Sequence, residues 1–123
     1  MAEKIALKIY TPEKTALDKK VYRVVLPYGK INLTVIEDRA PTSFLLHSGI
    51  MQILNEQDKA VETYFIDGGV VDVADNVCKI STLRLIKDDE ISLEQAQEMV
   101  ESSPQTADFY RMVAAYKKNF KEV

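Results

Sequence analysis

Two adjacent glycines, set between two runs of apolar residues, constrain this chain more than any other feature. Val61-Glu62-Thr63-Tyr64-Phe65-Ile66 ends at Asp67, Gly68-Gly69 follows, and Val71 and Val73 then alternate with Asp72 before a second break at Asp75-Asn76. Glycine takes positive φ at little steric cost, so the backbone can bend sharply or bulge there. Asp and Asn bond their own nearby backbone, so Asp75-Asn76 reads as a turn. The expectation for residues 64–80 is two linked hairpins, a β-meander.

The rest of the first 87 residues is written the same way. Ile5, Leu7 and Ile9 fall on one face of a period-two pattern and Lys4 and Lys8 on the other. After Thr11-Pro12-Glu13-Lys14 come a short segment at Thr15-Leu17 and a run from Val21 to Leu26, halted by Pro27 with Tyr28-Gly29 as the turn. Ile31–Ile36, Thr42–Leu46, Ile50–Leu54, Val61–Ile66 and a last strand from Val77 to about Leu85 complete the set. About nine to ten short strands with turn signals between them predict a β-sandwich or barrel.

The pattern then changes. Ser92-Leu93-Glu94-Gln95 is a capping box, in which the Ser92 hydroxyl takes an amide and Gln95 reaches back. Leu93, Ala96 and Val100 form a narrow apolar stripe with Met99 beside it, and Ser103 and Pro104 provide an N-cap and a first helical position. Phe109, Met112, Val113, Tyr116 and Phe120 recur at three- and four-residue steps, one face of a helix from Pro104 to Lys121 about 27 Å long. The short link predicts an antiparallel hairpin. The expected division is a β-sandwich at 1–87 and a helical hairpin at 88–123, a mainly β fold with C-terminal α. Residues 87–102 set Lys87 against six carboxylates, and residues 111–123 carry four cations and one carboxylate. Exposed pairs are worth roughly 0–1 kcal/mol each, so apolar packing must hold the hairpin. It must rest on the sandwich, on a partner, or move between the two.

Composition excludes several functions. Of 123 residues, 46% are hydrophobic, enough for a core without staples, and the net charge of −3 lacks the basic face that nucleic acid requires. One cysteine, Cys78, rules out an internal disulfide framework and fits a reducing compartment. The start Met-Ala-Glu-Lys has no apolar signal core, and no run approaches the ~18 apolar residues of a membrane helix. The expectation is a protein that does not cross the bilayer. With His47 the sole histidine, a His/Cys metal cluster is excluded, as is a Ser-His-Asp triad without it. His47 reads as a turn residue, Cys78 as core, and Asp67, Asp72 and Asp75 as solvated acids without EF-hand spacing. Gly29-Lys30 is not a phosphate loop, because neither the glycine spacing nor the following helix is present. No catalytic residue, metal or cofactor is expected.

The order of the pieces, with several motifs in register, resembles the epsilon subunit of the rotary F-type ATP synthase, counterpart of the mitochondrial delta subunit. The motifs are Leu7-Lys8-Ile9-Tyr10-Thr11-Pro12-Glu13, Val21–Pro27, Ala40-Pro41, Leu46, Gly49–Ile53 and, most recognisably, Ile66-Asp67-Gly68-Gly69-Val70-Val71-Asp72-Val73 followed by Asn76-Val77. The resemblance covers nearly the whole chain. It implies a non-catalytic rotor subunit of the central stalk, coupling proton or sodium transport to ATP synthesis by joining the gamma subunit to the ring of c subunits. It also implies a hairpin that folds on the sandwich or reaches toward gamma and the catalytic head to modulate ATP hydrolysis. The place implied is the cytoplasmic face of a bacterial plasma membrane.

The departures from that pattern shape the expected sites. The family writes a glycine-rich turn before "GHAP" near the ring. Here only Gly29 remains and Arg39 replaces the histidine, so Lys30, Asn32, Glu37, Asp38 and Arg39 are the expected ring-facing residues. Some members bind ATP through an "IDxxRA"-like motif at the start of the first helix. The matching stretch places Ser92 for the aspartate and Gln95 for the arginine between Ile91 and Ala96, so phosphate loses its bidentate donor and nucleotide binding of that type is not expected. Leu93, Met99, Val100, Phe109, Val113, Tyr116 and Phe120 are the expected hairpin contacts. A free-standing sandwich that senses a small ligand such as a nucleotide is the alternative, and a jelly-roll enzyme is a weaker one for want of histidines.

Overall fold

The computed structural model describes residues 4–120, with side chains to residue 119. Ten strands come first: β1 (Ile5–Tyr10), β2 (Thr15–Val21), β3 (Arg23–Tyr28), β4 (Ile31–Val35), β5 (Thr42–Leu46), β6 (Gly49–Leu54), β7 (Ala60–Ile66), β8 (Gly69–Ala74), β9 (Val77–Ser81) and β10 (Leu85–Lys87). A 3-10 turn at Asp88–Glu90, helix α1 (Leu93–Ser102), a second 3-10 turn at Pro104–Thr106 and helix α2 (Ala107–Phe120) follow. The strands form two five-stranded sheets, ordered β2-β1-β9-β8-β5 and β10-β7-β6-β3-β4, antiparallel throughout except for the β1–β9 pair. The expected β-sandwich with a C-terminal helical hairpin is the observed architecture.

Alternation places the core. Ile5, Leu7 and Ile9 of β1 face Val24, Leu26, Met51, Ile53 and Ile66 of the opposite sheet, with Val71, Val73, Cys78 and Ile80 completing the interior. Burial pushes the Cys78 thiol up to about 12, so this cysteine is an inert packing residue.

The glycine pair does something other than the expected meander. β7 lies in one sheet and β8 in the other, so Gly68-Gly69 is a corner at which the chain changes sheets. Gly68 has φ +64° and Gly69 φ +141°, and a Cβ on Gly69 would collide with the Ser81 carbonyl oxygen. Only the second turn closes a hairpin. Asp75 and Asn76 both take positive φ, 52° and 60°, and join β8 to β9 as a two-residue loop.

The last predicted strand, Val77 to Leu85, is in fact two strands in different sheets. The chain crosses back at Thr82–Arg84, beside the glycine corner. There the Asp67 amide donates to the Arg84 carbonyl oxygen at 3.1 Å, and the Thr82 hydroxyl donates to the Asp67 carbonyl oxygen at 3.1 Å. The Arg84 guanidinium pairs with the Asp67 carboxylate, which also accepts from the Ser48 hydroxyl at 2.8 Å. Two crossings in opposite directions thus brace each other, which composition and periodicity cannot reveal.

Pro27 does not halt β3, as expected, but stands inside it. It pairs with Asn32 of β4 beyond the point where β6 pairing ends at Val25. A proline, which lacks an N–H, is tolerated in a strand where ladder pairing stops. Gly49 is required opposite, because a Cβ there would stand 2.7 Å from Pro27 Cβ.

The helices cover the outer face of the β10-β7-β6 side and create a second core: Phe65, Ala96, Phe109, Tyr110 and Val113, with Ile50, Ile86 and Ile91 packed against it. The end of strand β7 is therefore buried on both faces, Tyr64 and Ile66 toward the sandwich and Phe65 toward the helices. The capping box forms as expected: Ser92 Oγ accepts the Gln95 amide at 3.1 Å, and Gln95 Oε1 accepts the Ser92 amide at 2.8 Å. At the second helix the expectation needs correction. Ser103 provides no side-chain cap, and the first turn is 3-10, tied by the Thr106 amide to the Ser103 carbonyl oxygen at 3.1 Å. The α-helix proper starts at Ala107, and Lys121, its expected end, lies outside the described residues.

Candidate functional site

The structure assembles surfaces and joints. Among the described residues no group of three His, Cys, Asp or Glu side chains could hold a metal ion. Two open grooves, of about 610 and 600 Å³, lie over the helices at Glu94, Glu98 and Arg111 and over the glycine corner at Pro12 and Leu83. Neither gathers a nucleophile, a base and an oxyanion donor in the way acyl- or phosphoryl-transfer chemistry needs. Among the described residues no helix is long and apolar enough to cross a membrane.

The expected hairpin contacts largely converge. Met99, Val100, Phe109, Val113 and Tyr116 all belong to the second core, whereas Leu93 is half-buried and outside it. The Phe120 side chain lies outside the described residues. Tyr116 meets Phe65 edge to face, with ring centroids 5.4 Å apart. Tyr110, Ile50, Phe65, Ile86 and Ile91 belong to the same core but were not among the expected contacts. The signal for Phe65 was present: Tyr64-Phe65-Ile66 is an unbroken apolar run, which marks a strand covered on both sides.

The residues standing at the family's nucleotide motif are engaged otherwise. Ser92 and Gln95 cap each other, and Ile91 and Ala96 pack into the second core.

The expected ring-facing residues do not form one patch. Lys30 is exposed at the tip of the β3–β4 hairpin, in a two-residue loop with φ +65° at Gly29, and exposed Asn32 lies just beyond. Glu37, Asp38 and Arg39 follow the far end of β4, about 13 Å away along the strand. The two groups bond to different things. The Gly29 amide donates to His47 Nδ1 at 2.9 Å, so the histidine ties this tip to the β5–β6 loop. At the other end Glu37 pairs with Lys4 at 3.2 Å, the Asp38 amide donates to Asn76 Oδ1 at 2.7 Å, and Arg39 reaches back to the Thr34 carbonyl oxygen at 3.4 Å. The Lys30 tip adds exposed apolar surface, with Ile31 at 62% and Tyr28 at 42%, and the far end adds Ile36 at 46%.

Two charged joints bind the layers. Lys19 of β2 pairs with Glu62 of β7 across the two sheets; Glu62 also accepts from the Tyr64 hydroxyl at 2.6 Å and has Lys87 at 3.9 Å. Burial alone would raise the Glu62 carboxyl, but the bonds from Lys19 and Tyr64 outweigh it and hold the group below its ordinary value. Burial, with the Glu62 bond, raises the Tyr64 phenol well above its ordinary range. The second joint is Lys117 of α2, whose Nζ lies 2.9 Å from Asp88 Oδ1.

A family model described as "ATP synthase, Delta/Epsilon chain, beta-sandwich domain" matches residues 4–88. The ATP synthase epsilon chain of Rhodopirellula baltica is 34% identical over 106 residues, covering 80% of this chain and 81% of that one. The epsilon chain of Rickettsia typhi is 31% identical over 83 residues, covering 67% and 76%. The fold is similar to a chain in a cryo-EM structure of the Euglena gracilis mitochondrial ATP synthase comprising OSCP, F1 and c-ring, with a TM-score of 0.65 at 21% identity over 92% of this chain and 76% of that one. A chain of the Tetrahymena thermophila mitochondrial ATP synthase central stalk and c-ring gives a TM-score of 0.59 at 17% identity, covering 90% and 96%. At those identities the two structures show a shared fold. The family match and the curated relatives go further: this chain belongs to the delta/epsilon family of ATP synthase subunits.

Proposed function

We propose that the chain is a non-catalytic rotor element of an F-type ATP synthase, seated on the gamma subunit of the central stalk and resting on the ring of c subunits. The observation that carries this reading is the family match over the whole sandwich, joined to a body built for stiffness. Two close-packed sheets are braced at the crossing by Asp67 and Arg84 and near the other end by Lys19 and Glu62, and such interiors transmit strain with little compression. In this reading residues 1–87 are the transmitting body and residues 88–123 its helical cover, and the subunit lies peripherally on the cytoplasmic face of a bacterial plasma membrane. The ring-facing end is the Lys30–Asn32 tip, supported by its exposed Tyr28 and Ile31. At the Glu37–Arg39 end, Glu37 pairs with Lys4 and the Asp38 amide donates to Asn76. Modulation of hydrolysis would require the helices to leave β7, exposing the fully buried Phe65. Linkage, and not inhibition, is therefore the function proposed.

The test is recovery of a tagged chain from its native cells. Gamma and the catalytic ATPase subunits should accompany it at stoichiometric levels, and their absence would sink the proposal.

A further inference from the structure

His47 and Ser48 carry the chain from β5 in one sheet to β6 in the other, and each is bonded to a different part of the same end of the sandwich. His47 Nδ1 accepts the Gly29 amide at 2.9 Å. The Ser48 hydroxyl donates at 2.8 Å to the Asp67 carboxylate, which also pairs with Arg84. This loop therefore joins the Lys30 tip to the braced glycine corner. Tyr28, the last residue of β3, meets the Phe44 ring edge to face at 5.5 Å and the His47 ring at 6.4 Å. Phe44 in turn packs against the sandwich core.

The bond to Gly29 answers a need that the turn itself creates. Tyr28 and Ile31 are paired, so Gly29 and Lys30 make a two-residue hairpin loop. Gly29 has φ +65° and Lys30 is not among the residues with positive φ, the pattern of a type II′ turn with glycine first. The bond that closes such a turn runs from the amide of the fourth residue to the carbonyl oxygen of the first, which leaves the Gly29 amide over. His47 takes it. An accepting Nδ1 must be unprotonated, so the neutral ring carries its hydrogen on Nε2. A second proton on Nδ1 sets a donor against a donor and breaks the bond. Histidine is the side chain that gains its charge between about pH 8 and about pH 5. The titratable and charged groups around it are the Tyr28 phenol and the Lys30 ammonium from the tip, with Asp67 and Arg84 from the corner. Asp67 is already held by Arg84 and Ser48, and Lys30 adds a like charge to a protonated ring.

We infer that His47 is a positioning residue for the Lys30 tip. It holds the Gly29 amide while neutral and releases it when protonated, so acid loosens the contact that the tip makes with the ring of c subunits. The ring contact rests on the rotor reading; the tie itself belongs to the free chain.

Nuclear magnetic resonance of the free, isotope-labelled full chain tests the tie, and with His47 the sole histidine a single imidazole is followed. From about pH 8 to about pH 5 the Gly29 amide signal should move with the imidazole titration. Its protection from hydrogen exchange, corrected for the intrinsic rate, should fall ~5-fold over that range. In His47→Asn, whose Oδ1 takes the place of Nδ1 and accepts at any pH, protection should hold within ~2-fold. A Gly29 amide that ignores the imidazole titration, or that loses protection equally in His47→Asn, would overturn the tie. Binding of the gamma-bound chain to isolated c-ring tests the positioning. Gamma and the ring titrate alike with either chain, so the ratio of parent to His47→Asn affinity isolates this residue. That ratio should drop ~5-fold between about pH 8 and about pH 5, the scale of one hydrogen bond. A ratio that does not change with pH would overturn the positioning role. If neither chain binds the ring at either pH, the rotor reading fails and the positioning role with it, while the Gly29 signals still decide the tie.

Discussion

Phe65 and Tyr116 meet edge to face at 5.4 Å, joining a strand in the middle of a sheet to the last turns of the chain. Phe65 is fully buried although it points away from the sandwich core, because the helices take the place of solvent on that side. Phe65→Ala should therefore cost as much as a deletion in a primary core, about 3–5 kcal/mol. Leu83→Ala, at a residue 63% exposed, should change stability by no more than about 0.5 kcal/mol. Urea midpoints of the two variants check both figures, and equal midpoints would contradict the three-layer description.

The two glycines of the corner should not be equivalent. Gly69 holds φ +141° against the Ser81 backbone, whereas Gly68 holds φ +64° with its nearest neighbour 3.7 Å from a Cβ position. Gly68→Ala meets only the left-handed penalty of about 1–2 kcal/mol. Gly69→Ala adds a backbone collision and should cost well over 2 kcal/mol or prevent folding. Thermal unfolding of both variants gives the ordering, and the reverse order would refute this reading of the corner.

Stability should fall off on both sides of neutrality, for separate reasons. Glu62 has a folded-state pKa below its ordinary value of 4.5, so the unfolded chain takes the proton first. Its contribution is complete above about 4.5 and is lost as pH drops through the lower folded value. On the alkaline side Cys78, raised from 9.0 to about 12, and Tyr64, raised from 10.0, hold their protons longer when folded. Their contribution is complete below the unfolded values and declines as pH climbs above about 9. Unfolding midpoints measured across pH should show Glu62→Gln flattening the acid limb and, through the lost bond to Tyr64, reducing the later part of the alkaline limb, whereas Cys78→Ala flattens the first part of the alkaline limb only.

The proposed ring contact separates the two ends of β4. Lys30→Glu should weaken association of the gamma-bound chain with isolated c-ring by roughly tenfold, the scale of an exposed charge reversal, and leave stability unchanged. Asp38→Ala should do the opposite, because the Asp38 side chain also accepts from Asn76 Nδ2 at 3.4 Å and Asp38 holds φ 58°, which alanine tolerates poorly. Ring binding and thermal unfolding of both variants decide it; a ring defect confined to Asp38→Ala would move the contact to the other end.

By itself the sequence determined the material of this protein: period-two strands, a helical ending with its Ser92–Gln95 cap, and enough motifs in register to suggest the family. Those are local properties, carried by alternation, turn chemistry and spacing over a few residues. Tertiary structure alone decided which sheet each strand entered. Gly68-Gly69 and Thr82–Arg84 read locally as an ordinary turn and as strand, yet both are crossings between sheets. It also decided that Lys117 would find Asp88 across 29 residues, and that Lys30 and Arg39 would part. Pairings between distant residues depend on how whole layers stack, and no short window of residue types encodes that stacking.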